Sequence, residues 1–465
     1  MTNFADIIAA ISTPPGKGGV AIIRISGEGA LSLTEKFFSP ASGKKLSDYP
    51  PRTAVYGFVL GEGGFKVDDG MATLFKSGAS YTGEETVEIT SHGGTLVSSM
   101  VLECALRAGA RLALAGEFTR RAFINGKITL SDAEAIGTLL DAKSREQVAL
   151  FSEGARRKLN ESFEDINGIL KETLSSVYAR IDYPDEDLGD FTDDEIKARL
   201  LTVKEKLLAL IGSYKTGRAI KDGVKTVIVG KPNAGKSSLY NAILGEDAAI
   251  VTDVKGTTTD VLEREALMDR ITLRLFDTAG LRDKESAGVI EKIGIEKTKS
   301  TLKEAELVLA VFDLSRPLDG DDEKIINALL ALDAKIIAVL NKADDECEEF
   351  KKGKISEKFD TVAHFSSISP EKYIPALSEK INAAFTDGSI VCGDSAIIST
   401  ARQHAVTTGA LAFIDSAISA LDLGQTADMI SSDIERALRT LSEADGREVS
   451  EAVTSEIFSK FCVGK

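Results

Sequence analysis

The chain has 465 residues, 43% hydrophobic and 28% charged, an ordinary balance for a soluble globular protein and enough length for roughly three domains. Its formal net charge is -16, from 56 basic and 72 acidic residues, which excludes a surface that wraps nucleic acid throughout but not a local basic patch. No run of apolar residues reaches bilayer-spanning length and the N-terminal apolar stretch lacks a basic lead. The expectation is a cytoplasmic protein with no membrane role.

Four scattered cysteines, with His92, His364 and His404, show no zinc spacing. Reduced thiols are expected.

In chain order, short β-prone runs come first: Gly19 to Ile25, Ala54 to Leu60, Ala72 to Phe75 and Thr86 to Thr90. Separated by turn residues, they predict a mixed domain of several strands. From Ser131 the pattern becomes helical, with Ser131 and Glu134 spaced as a capping box and Ile136, Leu139 and Leu140 on one face. The stretch "DYPDEDLGD" breaks it. Thr192 and Glu195 form a second capping box, followed by Ile196, Leu200, Val203, Leu207 and Leu210 at helical spacing. These faces predict core-facing helices of a bundle, and "YKTGRAIKDG" reads as a linker. Strands then alternate with helices at Thr226 to Val229, Ile271 to Phe276, Leu307 to Phe312 and Lys335 to Leu340, the sign of a parallel sheet covered on both faces. After Asp387 helices return: Ser399 to Leu423, Thr426 to Ala444 and Ser450 to Phe461.

The segment from Gly230 to Ser237, GKPNAGKS, follows a strand and opens a helical pattern, the setting a phosphate-binding loop requires. Its N–H groups converge on phosphate oxygens with help from the helix N-terminus. Asn233, Ala234, Gly235, Lys236, Ser237 and Ser238 are the candidate contacts. Lys236 reaches the outer phosphates and the Ser237 hydroxyl binds Mg2+. Asp277, Thr278, Ala279 and Gly280 end the strand "ITLRLFD", where a carboxylate can hold the metal through water and a glycine N–H can sense the terminal phosphate. Asn341, Lys342 and Asp344 belong to "NKAD" at the next strand end. Asp344 can accept two hydrogen bonds from guanine that adenine cannot offer, so the site selects GTP. Between these motifs Thr258, in "GTTTD", is the natural second magnesium hydroxyl. Leu281 stands where Ras-like enzymes place a water-orienting glutamine. An apolar side chain cannot do that work, so another group must.

Taken together, the stretches "TPPGKGGVAIIRISG", "SYTGEETVEITSHGG", "GEFTRRAFINGKITLSDAEAI", "GKPNAGKSSLYN", "VTDVKGTTTD", "DTAGLR" with "IEKIGIEK", "NKAD" and the terminal "FCVGK" resemble the tRNA modification GTPase family MnmE, also called TrmE. The resemblance implies an α/β multidomain fold. An N-terminal α+β tetrahydrofolate-binding and dimerisation domain (1–122) precedes an α-helical bundle domain in two parts (123–217 and 387–465), into which a Ras-like P-loop GTPase domain (218–386) is inserted. It implies a homodimer whose G domains meet when GTP and K+ are bound. It further implies a flavoprotein partner, MnmG, and a tRNA substrate, whose wobble uridine receives an aminomethyl or carboxymethylaminomethyl group at carbon five. A formyl- or methylene-tetrahydrofolate supplies the carbon, and GTP hydrolysis drives a conformational cycle.

The same resemblance assigns residues. Asn233, with Thr252, Val254 and Thr257, corresponds to a potassium site, and Asp253, Lys255 and Gly256 share that segment. Glu291 corresponds to the water-orienting glutamate. Arg24, Glu88, Lys127 and Lys465 correspond to folate-binding positions. Cys462 corresponds to a catalytic or substrate-contacting thiol; prenylation, which also uses a cysteine fourth from the end, does not suit a terminal lysine. Ser366 and Ser367 occupy the base-contacting loop. The chain departs from the family pattern at Thr129, Thr259, Ile368 and Val463. Two other readings remain open: an RNA-binding ribosome-assembly GTPase, and a folate-dependent one-carbon transferase with a regulatory GTPase domain.

Overall fold

A computed structural model describes residues 6–182, 192–245, 263–276, 304–345, 352–386, 395–445, 454, 457–459 and 461–464. The chain forms two compact units, residues 1–140 with 442–465, and residues 141–441.

The first unit is built on a seven-stranded sheet in the order β3-β4-β5-β6-β2-β1-β7. The strands are β1 (Ile8–Ile11), β2 (Val20–Ser26), β3 (Phe38–Pro40), β4 (Ala54–Leu60), β5 (Lys66–Phe75), β6 (Thr86–His92) and β7 (Arg111–Leu112). Neighbours are antiparallel except β1 and β7, which run parallel. Side chains alternate across a strand, so Ile23 and Ile25 of β2 enter the core with Val87 and Ile89 of β6 and Val101 of the helix Thr95–Ala108. Ile22 and Arg24 therefore lie on the other face. There Ile8, Ala10, Ala113 and Phe118 form a second buried cluster.

The end of the chain belongs to this unit. Phe458 and Phe461 pack with Leu130 and Ala133, and Val463 makes an antiparallel bridge with Ala115. The helix Leu130–Leu140 has its capping box at Thr129 and Asp132, not at Ser131 and Glu134 as the spacing predicts. Thr129 Oγ1 accepts from the Asp132 N–H, and Asp132 accepts from the Thr129 N–H. Ser131 is instead buried. Either spacing satisfies the sequence pattern; the packing of Leu130 chose the earlier one.

In the second unit, the helices Glu153–Asp182, Asp193–Asp222, Ala401–Asp422 and Ala427–Asp445 accompany a six-stranded sheet. The capping box at Thr192 and Glu195 is present, and Ile196, Leu200, Val203, Leu207 and Leu210 are buried, as expected. The expected linker "YKTGRAIKDG" is not a linker: the helix continues through it to Asp222 and stops at Gly223, where φ is 74°. Gly217 explains why a glycine inside it is useful. A Cβ there would lie 2.3 Å from the Ile398 carbonyl oxygen, so the absent side chain admits another main chain.

Helices from before and after the α/β segment pack together, chiefly Asp193–Asp222 along Ala401–Asp422. Ser213 Oγ accepts from the Ile398 N–H, and Tyr178 bonds Glu435. Helix Ala401–Asp422 is long and apolar enough by composition to cross a membrane, which corrects the expectation that no such run exists. Ala410, Ile414 and Ala417 are buried within the unit, which accounts for its apolar character.

The sheet order is β13-β12-β11-β8-β10-β9, from β8 (Val224–Gly230), β9 (Glu263–Met268), β10 (Ile271–Phe276), β11 (Leu307–Asp313), β12 (Lys335–Asn341) and β13 (Thr361–His364). All neighbours are parallel except β9 and β10. Every residue of β11 is buried, as a central parallel strand covered on both faces requires. Each buried Leu, Val or Phe contributes about 1.5–3 kcal/mol.

Candidate functional site

Parallel topology brings the C-terminal ends of β8, β11 and β12 to one edge, where α/β sheets bind ligands. After β8, Asn233 has φ 63° and Gly235 φ 94°, both in the left-handed region that a tight loop needs. Gly235 is also the N-cap of the helix Lys236–Leu244, so Lys236, Ser237 and Ser238 form its first turn. Lys236 Nζ donates to the carbonyls of Gly230 and Lys231 at 3.0 and 2.8 Å, folding over its own loop. Ala234 is buried and closes the turn by donating to Lys231 O.

Asn341 joins this loop to the base loop. Its buried Nδ2 donates to Ala234 O at 2.7 Å, while its Oδ1 accepts from the Lys342 N–H at 2.7 Å. A Cβ on Gly235 would stand 1.8 Å from that Nδ2, so only glycine fits. Lys342 takes φ 61°, and Asp344 follows it exposed. Ser366 is buried, with its Oγ accepting from Ile368 N; Ser367 is exposed beside it. Ala343 N donates to Phe365 O, which holds the two loops side by side. Thr252 to Thr258, Asp277 to Gly280, Leu281, Glu291 and Lys465 lie outside the described residues.

Sequence reasoning missed a set of charges on this edge. Asp313, at the end of β11, accepts from Lys342 Nζ at 2.8 Å and from Ser315. Burial pushes its carboxyl up, but these bonds more than offset that and hold it below the usual carboxylate range. The pairing of Lys231 with Asp319 likewise holds Asp319 well below that range. The only sequence signal was the D-x-x-D spacing of Asp319 and Asp322, a capping box that the helix Gly320–Leu330 indeed uses.

In the first unit Arg24 and Glu88 are register partners on β2 and β6, joined by a 2.8 Å ion pair. The Arg24 guanidinium also lies 5.5 Å from the Tyr81 ring centre and 5.6 Å from that of Phe118. Tyr81 and Phe118 are further residues that the sequence did not single out. Lys127 Nζ donates to Gly78 O at 2.8 Å, tying the turn after the helix Glu117–Ile124 to the β5–β6 loop. Cys462 is exposed; its carbonyl accepts from Gly116 N. Gly464 lies against the Ile11 main chain, beside Ala10, the register partner of Arg24. The tail and Arg24 thus share one end of the sheet.

A glycine-rich loop between a parallel strand and a helix, bonded through a buried asparagine to an NKxD loop on the next strand but one, defines a P-loop GTP hydrolase. Residues 7–127 match the family model for the GTP-binding protein TrmE N-terminus, and residues 130–462 that for the MnmE helical domain. The chain belongs to the tRNA modification GTPase MnmE family. A relative of that name from Acetivibrio thermocellus is 37% identical over 99% of both chains. Those from Thermotoga petrophila and Geobacillus thermodenitrificans are 38% and 36% identical, over 99–100% of this chain and all of theirs.

Proposed function

We propose that this protein modifies carbon five of the wobble uridine of certain tRNAs. It acts as a homodimer with a flavoprotein partner, MnmG, and takes the carbon from a formyl- or methylene-tetrahydrofolate. The observation that carries the reading is the Arg24–Glu88 pair with the Tyr81 and Phe118 rings beside Arg24, on a sheet whose strand β1 also meets the C-terminal tail at Ile11. Such a set suits a pterin: the half-buried Tyr81 ring for its face, with Phe118 packed behind, a carboxylate for its N–H groups, and cations for an acidic tail. Arg24, Glu88, Lys127 and Lys465 would hold the folate, which supplies a one-carbon unit when bound. Cys462, exposed on that tail, would meet the acceptor as a nucleophile or a substrate contact.

GTP hydrolysis proceeds by attack of water on the terminal phosphate, giving GDP and phosphate. Asp344 selects guanine and Lys236 swings from its loop carbonyls to the outer phosphates. Glu291 orients the water that Leu281 cannot. Ser237 and Thr258 offer hard hydroxyl oxygens suited to Mg2+. Asn233, with Thr252, Val254 and Thr257, offers amide, carbonyl and hydroxyl oxygens that suit K+. Bound cations supply positive charge against the phosphates. Ala234, Gly235 and Ser238 line the phosphate loop, Asp253, Lys255 and Gly256 the switch segment, Asp277, Thr278, Ala279 and Gly280 the terminal phosphate, and Asn341, Lys342, Ser366 and Ser367 the base.

The test is mass spectrometry of wobble uridines in tRNA from cells lacking the protein, rescued with wild type or Cys462→Ser. Wild type restores the modification, and Cys462→Ser fails to while still hydrolysing GTP. Failure of wild type would sink the tRNA reading; rescue by both would return the thiol to a chain end.

A further inference from the structure

Asn341 is not the only link between the loops that take the two ends of a nucleotide. Lys231, the second residue of the phosphate loop, reaches the carboxylate of Asp319 and lies 3.4 Å from that of Asp322. Asp322 is 2% exposed and receives both terminal nitrogens of Arg316, at 3.0 and 3.2 Å. Arg316 Nε in turn lies 3.8 Å from Asp313, and Asp313 holds Lys342 Nζ. The charges alternate along this path, and three cations balance three carboxylates. A buried carboxylate that receives cations from two separate loops fixes both, because losing either leaves it underpaired in a poorly solvated place.

We propose that these six side chains form a charged strap which sets the distance between the phosphate loop and the base loop, with Asp322 as its hub and Asp313 fixing Lys342. Asp313 and Asp322 are positioning residues for guanine nucleotide binding. The strap makes the two ends of the site interdependent: a nucleotide that orders one loop finds the other in place. It works on affinity and dissociation, because its members hold the two loops and none has a part in the attack of water in the proposed mechanism.

The experiment uses the full chain and a fluorescent GDP analogue, with stopped-flow dissociation and steady-state hydrolysis. Asp313→Asn and Asp322→Asn each raise Kd about tenfold through faster dissociation, while kcat at saturating GTP stays within about twofold. Arg316→Met, which leaves the helix cap intact, reproduces the effect if Asp322→Asn does not fold. A cycle with Lys231→Met and Lys342→Met, which share no direct partner, gives GDP-affinity losses that fall short of additive by about fivefold or more. Additive losses, or unchanged GDP dissociation with a lowered Tm alone, would reduce the network to a helix cap and overturn the strap.

Discussion

Arg121 is wholly buried in the first unit, and three carboxylates meet it. Its guanidinium reaches Asp6 at 2.7 Å, Glu117 at 3.1 Å and Glu84 at 3.2 Å. Arg111 adds a second cation to Glu117 and Asp6. Replacing Arg121 by Met would leave Glu84 without its cation and Asp6 and Glu117 with Arg111 alone, at a cost of about 3 kcal/mol, measurable by urea unfolding at neutral pH. The pH dependence follows from the shifts. Bonding to Arg111 lowers the Asp6 carboxyl, with burial opposing and Arg121 assisting; burial raises that of Glu117, but Arg111, the Leu114 N–H and Arg121 together bring it down. Folded values below the unfolded ones give stability that is present above about pH 4 and lost as pH falls through the folded values. The gap between wild type and Arg121→Met therefore narrows below about pH 4. Glu291 is proposed from the family resemblance, and Leu281, which cannot orient water, gives that proposal its chemical motive. Glu291→Ala should bind GTP normally and turn over about 100-fold more slowly; an unchanged rate in single-turnover hydrolysis would remove Glu291 from the proposed mechanism.

At the scale of elements, helix Asp193–Asp222 organises the second unit: it packs with helices from both sides of the α/β segment and leads directly into β8. Gly217 sets its closest approach, against the main chain at Ile398 and 2.8 Å from Ile397 Cγ2 for an added Cβ. Gly217→Val should cost about 1–3 kcal/mol by overpacking, read as a lowered Tm by calorimetry. An unchanged Tm would mean that the segment around Ile398 yields freely. The two-part bundle was expected from the resemblance and the buried face from its spacing; the unbroken run to Asp222 was not. Lys-Thr-Gly-Arg looks like a helix break, because glycine is a poor helix former in isolation; a neighbour 181 residues away makes it a good one.

At the scale of the whole molecule, the proposed cycle places a cation beside the phosphates, where the oxygens of Asn233, Thr252, Val254 and Thr257 would hold K+. Asn233, held at φ 63°, is the described member of the candidate potassium set. Hydrolysis in potassium should exceed that in sodium by about tenfold or more, the lower range of what a charge donor at this transition state contributes. Equal turnover in both salts would remove the cation mechanism and leave Asn233 a residue of loop conformation.

The sequence by itself determined the nucleotide chemistry, because the phosphate loop and the NKxD loop are each a few consecutive residues at a strand end. Their order along the chain fixes which ends a parallel sheet brings together. It also indicated four of the seven strands of the first unit, β2, β4, β5 and β6, as short β-prone runs between turn residues, and the Thr192 cap through its spacing. Only the tertiary structure decided which of two cap spacings starts the helix at Leu130, and whether the helix survives Gly217. It alone joined Arg24 to Glu88, 64 residues apart, and Lys231 to Asp319, 88 residues apart. The physical reason is common to all four: the deciding partner is distant in the chain, and a side chain's charge or size does not say which surface it will meet.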